Sequence, residues 1–543
     1  MKRLLIGIAL VVIARSCWAQ TADRAACMNN DPDIRIPGCT AAIQLDQGTP
    51  TKAANDYYTR GRAYHVKGLL NQAIADYTKA IELKSDYEAA YNNRGVAYVA
   101  KGLRDQAIAD YTKAIELKPD YETAYSNRGL AYKAKGLHDQ AIADETRAIE
   151  LKPDDGNAYN NRGAAYEAKG LHDQAIADYT RAIELKPDYA VAYHNRGTAY
   201  AAKGLYDPAI ADYTKAIELK PDYADAYANR GGIYEAKGLH DQAIADETKA
   251  IGLKPDDGNA YNNRGIAYEA KGLHDQAIGD YIRAIEVKPD YAEAYNNRGN
   301  TYIAKGLRDQ AIADETKAIA LEPRYEAAYA NRGGVYEEKG LYDQAIADET
   351  KAIQLKSDDK DAYCNRGAAY EAKGLHDQAI ADYTKAIELK PNYEKAYANR
   401  GGVYQEKGLE DQAIADETKA IELKSDDMDA YYNRGVAYEA KGLHAQAISD
   451  YTTAIELTPN YERAYANRAW SYHHEGEDTR GLSDAETAVK LNPGDAHAIA
   501  TRAEILEKLG QRDKAVADYR AALKIAPDLK SARDGLERLG VAP

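Results

Sequence analysis

The sequence predicts an all-α fold in which pairs of antiparallel helices stack along the chain. A 34-residue unit recurs without a gap from Ala54 to Leu529, which accommodates fourteen copies. Apolar residues within each copy recur at spacings of three and four, the period of one helix face. Gly and Pro recur at fixed places after the apolar runs, where they end helices. Because each unit packs only on its neighbours, the 543-residue chain needs no large central core.

The charge balance narrows the classes of partner. The net charge is −15, and no basic cluster interrupts the acidic chain. Nucleic-acid binding depends on cationic contacts to phosphate, and docking on anionic lipid depends on basic segments. We therefore expect no nucleic acid and no lipid surface as partner.

Residues 1–19 have the features of a secretory signal peptide, with a basic start, an apolar run from Leu4 to Ala14 and a small residue at Ala19. We expect cleavage there and export to the periplasm or the exterior, with attachment to the envelope left open. Retention as an anchor is the alternative, but eleven apolar residues are too few to span a bilayer. Lipid modification of Cys17 is a further alternative, which Arg15 disfavours. We expect no integral membrane span.

Residues 20–53 form an N-terminal segment ahead of the repeats. In an oxidising compartment Cys27 and Cys39 are the natural disulfide pair, while Cys364 stands alone among regular repeats. The stretch DPDIRIPGCTAAI, residues 31–43, is similar to the second half of a repeat. We interpret it as a half-repeat that caps the open end. No set of His and Cys completes a metal site.

The copy from Glu88 to Tyr121 illustrates why the unit forms two helices, with its residues numbered as positions 1 to 34. Tyr at positions 4 and 11 and Gly at position 8 share one face of a first helix, and Ala at positions 20 and 27 with Tyr at position 24 share a face of a second. Gly at position 15 suits the end of the first helix. Asp or Asn at position 18 predicts the N-cap of the second helix, a cap that Ala445 lacks. Pro or Ser at position 32 ends the unit.

This pattern resembles the tetratricopeptide repeat family over residues 54–529. The residues that carry the resemblance in one copy are Tyr91, Gly95, Tyr98, Ala107, Tyr111, Ala114 and Pro119. The resemblance implies a right-handed α-solenoid of fourteen units whose first helices line a concave groove. It also implies that residues 530–543 supply a C-terminal capping helix.

Two charged positions are invariant across the fourteen copies. Position 7 is always Arg, as in Arg94, and position 23 is always Asp, as in Asp110. A row of arginines could form an anion track, but an equal number of aspartates on the facing helix indicates a structural Arg–Asp bridge.

Position 6 supplies the candidate binding residues, which we call the asparagine ladder. A side-chain amide offers both a donor and an acceptor, so it can bind a peptide backbone without reading its side chains. A similar ladder lines the repeats of O-linked N-acetylglucosamine transferase, where it holds extended polypeptide. The alternative is that each amide bonds only to a neighbouring helix. The ladder consists of Asn93, Asn127, Asn161, Asn195, Asn229, Asn263, Asn297, Asn331, Asn365, Asn399, Asn433 and Asn467.

Acidic residues accompany the ladder. Glu is frequent at position 12 of the later repeats, which favours polar or basic protein segments as partners. Position 24 is Glu instead of Tyr in five repeats, and the sequence leaves two interpretations of this change, a looser junction or an acidic outer patch. These five residues are Glu145, Glu247, Glu315, Glu349 and Glu417.

No catalytic constellation is present in the sequence. There is no phosphate loop, serine elbow or metal spacing, and no stretch remains for an enzyme domain or a cofactor. We expect a non-enzymatic scaffold that binds extended peptide or protein segments in the groove. The alternatives are a chaperone-like assembly factor for envelope or secreted proteins and a structural spacer without ligand.

Overall fold

The computed structural model describes residues 21–46 and 48–542, which contain helices and turns and no strand. Residues 21–27 are helical and precede thirty further helices. The predicted signal peptide lies outside the described residues. The helices are α1 (Pro32–Leu45), α2 (Pro50–Val66), α3 (Leu70–Leu83), α4 (Glu88–Ala100), α5 (Arg104–Leu117), α6 (Glu122–Ala134), α7 (His138–Leu151), α8 (Gly156–Ala168), α9 (His172–Leu185), α10 (Ala190–Ala202), α11 (Tyr206–Leu219), α12 (Ala224–Ala236), α13 (His240–Leu253), α14 (Gly258–Ala270), α15 (His274–Val287), α16 (Ala292–Ala304), α17 (Arg308–Leu321), α18 (Glu326–Glu338), α19 (Tyr342–Leu355), α20 (Lys360–Ala372), α21 (His376–Leu389), α22 (Glu394–Glu406), α23 (Glu410–Leu423), α24 (Met428–Ala440), α25 (His444–Leu457), α26 (Glu462–His474), α27 (Asp478–Leu491), α28 (Ala496–Lys508), α29 (Arg512–Ile525) and α30 (Lys530–Arg538).

The helices alternate as the repeat predicts. The even-numbered helices α2 to α28 are the first helices of the repeats, and the odd-numbered helices α3 to α29 are the second. The all-α class with repeated helix pairs is confirmed. The chain divides into two compact units, one ending at Leu273 and the other beginning at His274. Within each unit a second helix packs on the first helix of its own repeat and on that of the next.

Small residues and one aromatic ring build the core of each helix pair. Ala107, Tyr111 and Ala114 of α5 are buried, and they pack against α4 and α6. A Cβ on Gly95 would lie 2.6 Å from the Tyr111 ring, so the first helix can approach the ring only without a side chain at this position. Position 8 is therefore Gly because of a close approach between helices.

The turn between the two helices of a repeat depends on the Gly at position 15. Gly102 has a φ of +76°, and the N–H of Leu103 donates to the carbonyl of Tyr98 at 2.9 Å. The N–H of Gly102 itself donates to the carbonyl of Val99 at 2.8 Å. These two bonds form a Schellman motif, and its αL residue favours Gly. The predicted helix end is confirmed.

The N-cap predicted at position 18 is wrong. The helix α5 begins at Arg104, and its N-cap is Leu103, which makes no side-chain capping bond. Asp105 instead lies in the first turn and pairs with Lys135 of the next repeat. The Asp at this position therefore links successive repeats, and its charge also suits the helix N-terminus.

The N-terminal segment lies against the first repeat. The disulfide between Cys27 and Cys39 joins residues 21–27 to α1. Arg60 donates to Thr40 of α1 at 2.9 Å, as Arg94 donates to Thr78 in the next repeat at 3.0 Å. Because α1 makes the contact that a second helix makes, this geometry supports the proposed capping role.

The last helix covers the end of the last repeat. Ala532 and Leu536 of α30 are fully buried in a cluster with Ala515, Tyr519 and Ala522 of α29. This burial removes the apolar face of α29 from water, which supports the proposed role of α30 as a C-terminal cap.

Candidate functional site

The first helices lie on the inner side of each unit. Consecutive first helices contact each other, for example α4 with α6 and α26 with α28, whereas no two second helices make contact among the described residues. The spacing between repeats is therefore smaller on the first-helix side. Position 6 lies on these helices, so the asparagine ladder runs along one continuous row in each unit.

Most ladder amides donate to the preceding repeat. Asn127 Nδ2 lies 3.0 Å from Asn92 Oδ1, and Asn195 Nδ2 lies 3.0 Å from Asn160 Oδ1. The acceptor in these bonds is at position 5 of the preceding first helix. The other bonds to this position are Asn93 to Tyr58 at 3.0 Å, Asn161 to Ser126 at 3.4 Å, Asn331 to Asn296 at 3.0 Å, Asn399 to Cys364 Sγ at 3.9 Å and Asn467 to Tyr432 at 3.3 Å.

A second set of bonds reaches position 24 of the preceding repeat. Asn263 donates to Glu247 at 3.2 Å and Asn365 donates to Glu349 at 3.3 Å. In both sets the amide N–H connects two repeats, so each of these ladder residues has a structural role as well as any role in binding.

The histidine at position 5 of the fifth repeat follows the same scheme. Burial lowers the pKa of His194, which favours the neutral ring. A neutral imidazole has one nitrogen that accepts, and Asn229 Nδ2 lies 3.0 Å from His194 Nε2. His194 therefore replaces the amide or hydroxyl acceptor that other repeats use here.

The amide oxygens of the ladder make fewer hydrogen bonds within the protein than the amide nitrogens do. Within the described residues, Oδ1 of Asn127, Asn161, Asn331 and Asn365 accepts no hydrogen bond from the protein. Eleven ladder residues are half-buried and Asn229 is exposed. First helices of both units thus present free carbonyl-type acceptors, whereas Oδ1 of Asn93 accepts from Asn92 at 3.2 Å and Oδ1 of Asn195 lies 3.4 Å from His194 Nδ1.

The invariant Arg and Asp are paired, as the structural interpretation predicts. Arg94 Nε and Nη2 donate to the two carboxylate oxygens of Asp110, each at 2.7 Å. The same two-bond pair recurs in at least thirteen repeats, and each of these pairs lies within its own repeat. Because the remaining Nη1 of Arg94 donates to Thr78, the arginine is used inside the fold and forms no anion track.

The five glutamates at position 24 are buried, so the interpretation as an acidic outer patch is wrong. Their exposed fractions are 0–1%, which excludes an acidic outer patch, and each fills the place of the Tyr ring under the Gly at position 8. Burial raises the pKa of Glu145 and Glu247 to about 8 and of Glu315, Glu349 and Glu417 to about 9. They are therefore mainly neutral at pH 7.

Metal-ligand groups and membrane-spanning helices are both absent from the described residues. Among residues 21–46 and 48–542 no three His, Cys, Asp or Glu side chains are grouped as metal ligands. No helix in that part of the chain is long and apolar enough to cross a membrane. Cys364 is a free, buried thiol.

Sequence profiles of repeat families match most of the chain. Two profiles described as tetratricopeptide repeat match residues 156–189, 361–393 and 429–461, and residues 122–155, 224–257, 292–325, 394–427 and 496–529. A third, described as TPR repeat, matches residues 61–102, 104–136, 197–238, 270–306 and 335–374. The comparison with curated proteins gives no significant match.

Several solved structures are similar to parts of the chain. The crystal structure of MamA is 33% identical, with 30% of this chain and 94% of that chain covered and a TM-score of 0.28. That of YrrB, described as a TPR protein with an unusual peptide-binding site, is 27% identical, with 36% and 98% covered and a TM-score of 0.30. That of the APC/C hetero-tetramer Cut9-Hcn1 is 15% identical, with 92% and 98% covered and a TM-score of 0.38.

Reasoning from the sequence missed the partners of the ladder amides. Position 5 is Asn, Ser or His in six of the repeats that precede a ladder residue, as in Asn92, Ser126 and Asn160, and this periodic polarity on a helix was the available signal. The sequence also contains Trp470 and Glu504 at position 9 of the last two repeats, where the other copies have mostly small or apolar residues. A repeat that departs from its neighbours in this way indicates a specialised place.

Proposed function

We infer that this chain, which belongs to the tetratricopeptide repeat family, is a non-enzymatic scaffold that holds extended segments of other proteins along its first helices. The row of asparagine oxygens carries this proposal. Each oxygen can accept a backbone N–H of an extended chain, and an amide does so without regard to the partner's side chains. The fixed donors on the other side of each amide hold these oxygens in place, which reduces the entropy lost on binding.

The charge of the inner face supports a polar or basic partner. Glu371 and Glu439 at position 12 are half-buried, and burial raises the pKa of both carboxyl groups. Each already accepts a hydrogen bond from a tyrosine, Tyr383 at 2.6 Å and Tyr451 at 3.0 Å. A cationic segment would restore interactions that these carboxylates lose with water.

We also propose that the protein is exported. The disulfide between Cys27 and Cys39 supports an oxidising compartment, since such bonds are rare in the cytosol. Cleavage after Ala19 is tested by N-terminal sequencing of the protein recovered outside the cytoplasm.

The binding proposal is tested by four substitutions in the first unit, Asn127, Asn161, Asn195 and Asn229 to Ala. The matched control replaces Asn157 and Asn259 by Ala, because both residues are exposed and lie at position 2 outside the ladder. Partners are captured by cross-linking and pulldown from the exported fraction, and thermal unfolding confirms that each variant is folded. We expect the ladder variant to lose at least tenfold in affinity for the captured partner and the control to retain it.

The same experiment separates the other function classes. Unchanged binding by the folded ladder variant would contradict the proposal. Weak capture of many unfolded chains would favour the chaperone-like assembly factor. Capture of nothing by the intact protein would favour the spacer.

A further inference from the structure

A cavity of about 280 Å³ lies among the first helices at the C-terminal end of the second unit. It is bounded by α24, α26 and α28 and by Ser531 of α30. Its lining includes Asn467, the last residue of the asparagine ladder, together with Trp470 and Glu504. The cavity is thus continuous with the proposed binding row, and its volume suits one side chain better than a whole small-molecule ligand.

The groups that line this cavity differ from those at the same positions elsewhere. Position 9 carries Trp470 and Glu504 in the last two repeats, the only aromatic and the only acidic residue at this position among the fourteen copies. Trp470 packs on His474, with ring centroids 4.2 Å apart, which holds the indole in place. The site therefore combines an aromatic surface with a carboxylate in a half-enclosed space.

Most other polar groups around the cavity are already engaged. The Asp495 carboxylate accepts from the N–H groups of His497 and Ala498 at 2.9 and 3.2 Å. The Glu439 carboxylate accepts from Tyr451 at 3.0 Å and from Ser471 at 3.2 Å. One oxygen of each carboxylate accepts both of these bonds, and the second oxygen of each accepts none among the described residues.

Glu504 and Asn467 retain free acceptor oxygens. Asn467 donates through Nδ2 to Tyr432 and Tyr451, and no bond to its Oδ1 is present among the described residues. Glu504 makes no hydrogen bond or ion pair within that same part of the chain, and burial raises the pKa of its carboxyl group. A half-buried carboxylate without a partner favours an incoming cation.

The charge balance is negative. Arg463 is the cation that lines the cavity with Glu439, Asp495 and Glu504, and His497 adds a charge only when it is protonated. On the far side of Glu504, Arg538 is paired with Glu507 at 3.0 Å. Even with Arg463 present, the carboxylates outnumber the cations.

We propose that this cavity binds an arginine side chain of the extended partner segment. The proposal rests on the proposed function and names one residue that the partner presents. A guanidinium is planar, so it can stack on Trp470 while its N–H groups donate to Glu504 and to Asn467 Oδ1. A lysine ammonium would satisfy the charge but would match the ring face and the two acceptors less well.

The test compares fluorescein-labelled nine-residue peptides of Ser and Ala with Arg, Lys, Gln or Glu at the centre. The full chain carries Trp18→Phe, which leaves Trp470 as its one tryptophan, so that tryptophan emission reports on this cavity alone. We expect the Arg peptide to bind at least tenfold more tightly than the Gln peptide, with Lys between them, and to change the Trp470 emission.

Glu504→Gln is expected to reduce the preference for Arg over Gln to less than threefold. Glu486→Gln is the matched control, because it removes the same charge from an exposed position on α27 and is expected to keep the preference. Trp470→Leu is expected to weaken binding of the Arg peptide and to leave binding of the Gln peptide unchanged, as measured by the fluorescence anisotropy of each peptide.

Equal binding of the Arg and Gln peptides, or a preference that survives Glu504→Gln, would overturn the inference. If the Arg and Gln peptides bind equally and the four-site ladder variant loses this binding, the proposed function stands without the arginine site. If no peptide binds to the intact chain, both the proposed function and the inference fail.

Discussion

At the scale of single residues, position 24 shows how one substitution changes the chemistry of a repeat. Where it is Tyr, the ring fills the space under the Gly at position 8. Where it is Glu, as in Glu315, the carboxyl group fills the same space, and its Oε2 has no hydrogen-bond partner among the described residues. A neutral carboxylic acid costs far less to bury there than a carboxylate.

The buried glutamates predict a pH-dependent stability. Burial raises the pKa of Glu315 from 4.5 to about 9, with Asn331 and Arg332 acting in the opposite direction. The folded chain thus binds a proton that the unfolded chain has lost. This contribution to stability is fully present below about pH 4.5. It is lost progressively as the pH rises from there through about 9, with a slope of about 1.4 kcal/mol per pH unit.

Glu315→Gln should remove this contribution, because the amide can still accept from Asn331 and does not titrate. We expect its free energy of unfolding to fall less between pH 5 and pH 8 than that of the unsubstituted chain, measured by urea denaturation at each pH. Glu322→Gln, at an exposed position of the same repeat, is the control and should leave the slope unchanged. Parallel slopes for all three proteins would contradict the assignment.

The Arg–Asp pair predicts a large effect of a single substitution. Asp246 accepts from Arg230 at 2.7 and 2.8 Å, and its side chain is 9% exposed. Asp246→Ala leaves a half-buried guanidinium without its carboxylate, so we expect a loss of about 3 kcal/mol in stability. Asp207 pairs with Lys237 at the surface, 83% exposed, and Asp207→Ala should cost less than about 1 kcal/mol. Equal denaturation midpoints for the two variants would refute the structural role of the pair.

At the scale of the helix, the two kinds of Gly in the repeat have opposite effects. Gly102 ends α4 at a positive φ, where an L side chain is strained. Gly232 lies inside α12, and a Cβ added to it would have nothing within 4 Å, so there the flexibility of Gly only weakens the helix. One residue type thus stabilises one element and destabilises another.

We expect Gly102→Ala to lower stability by about 1 kcal/mol and Gly232→Ala to raise it by about 0.5–1 kcal/mol. Thermal unfolding followed by circular dichroism measures both effects, and each variant is the control for the other. Shifts of the same sign would show that helix propensity or backbone strain at these positions has been assigned incorrectly.

At the scale of the whole molecule, the stability of each repeat is coupled to that of the repeats next to it. Within each unit, a helix contacts those next to it, and consecutive first helices also contact each other, as is typical of repeat arrays. The interactions in one repeat therefore influence adjacent repeats directly and distant ones only through the chain of neighbours between them.

Removal of the disulfide allows the coupling between repeats to be measured. Replacing Cys27 and Cys39 by Ser should destabilise α1 and α2 by about 2–3 kcal/mol, because the cross-link restricts the unfolded N-terminal segment. Hydrogen exchange should then accelerate in the first repeats and remain unchanged from His274 onwards. Cys364→Ala is the control, since a free thiol in the second unit should affect that unit instead. Uniform acceleration along the chain would exclude nearest-neighbour coupling.

Much of the fold could be predicted from the sequence because it depends on short-range geometry repeated many times. The helix pairs, the Gly at position 15 and the Arg–Asp bridge all involve residues within one repeat, such as Arg94 and Asp110. Local spacing determines these contacts, and fourteen copies at constant spacing make the pattern unmistakable.

Only the tertiary structure decided which groups meet between repeats. Asp105 pairs with Lys135 of the next repeat, and Asn127 donates to Asn92 of the preceding one, so neither contact follows from a single copy. Glu315 is buried because the first helices of its own and of the next repeat both pack on its helix, and Trp470 lines a cavity between first helices of different repeats. The sequence by itself determined the unit and its internal packing. Packing between units determined the rest, since burial, and with it pKa and access to a partner, depends on the neighbours that each repeat meets.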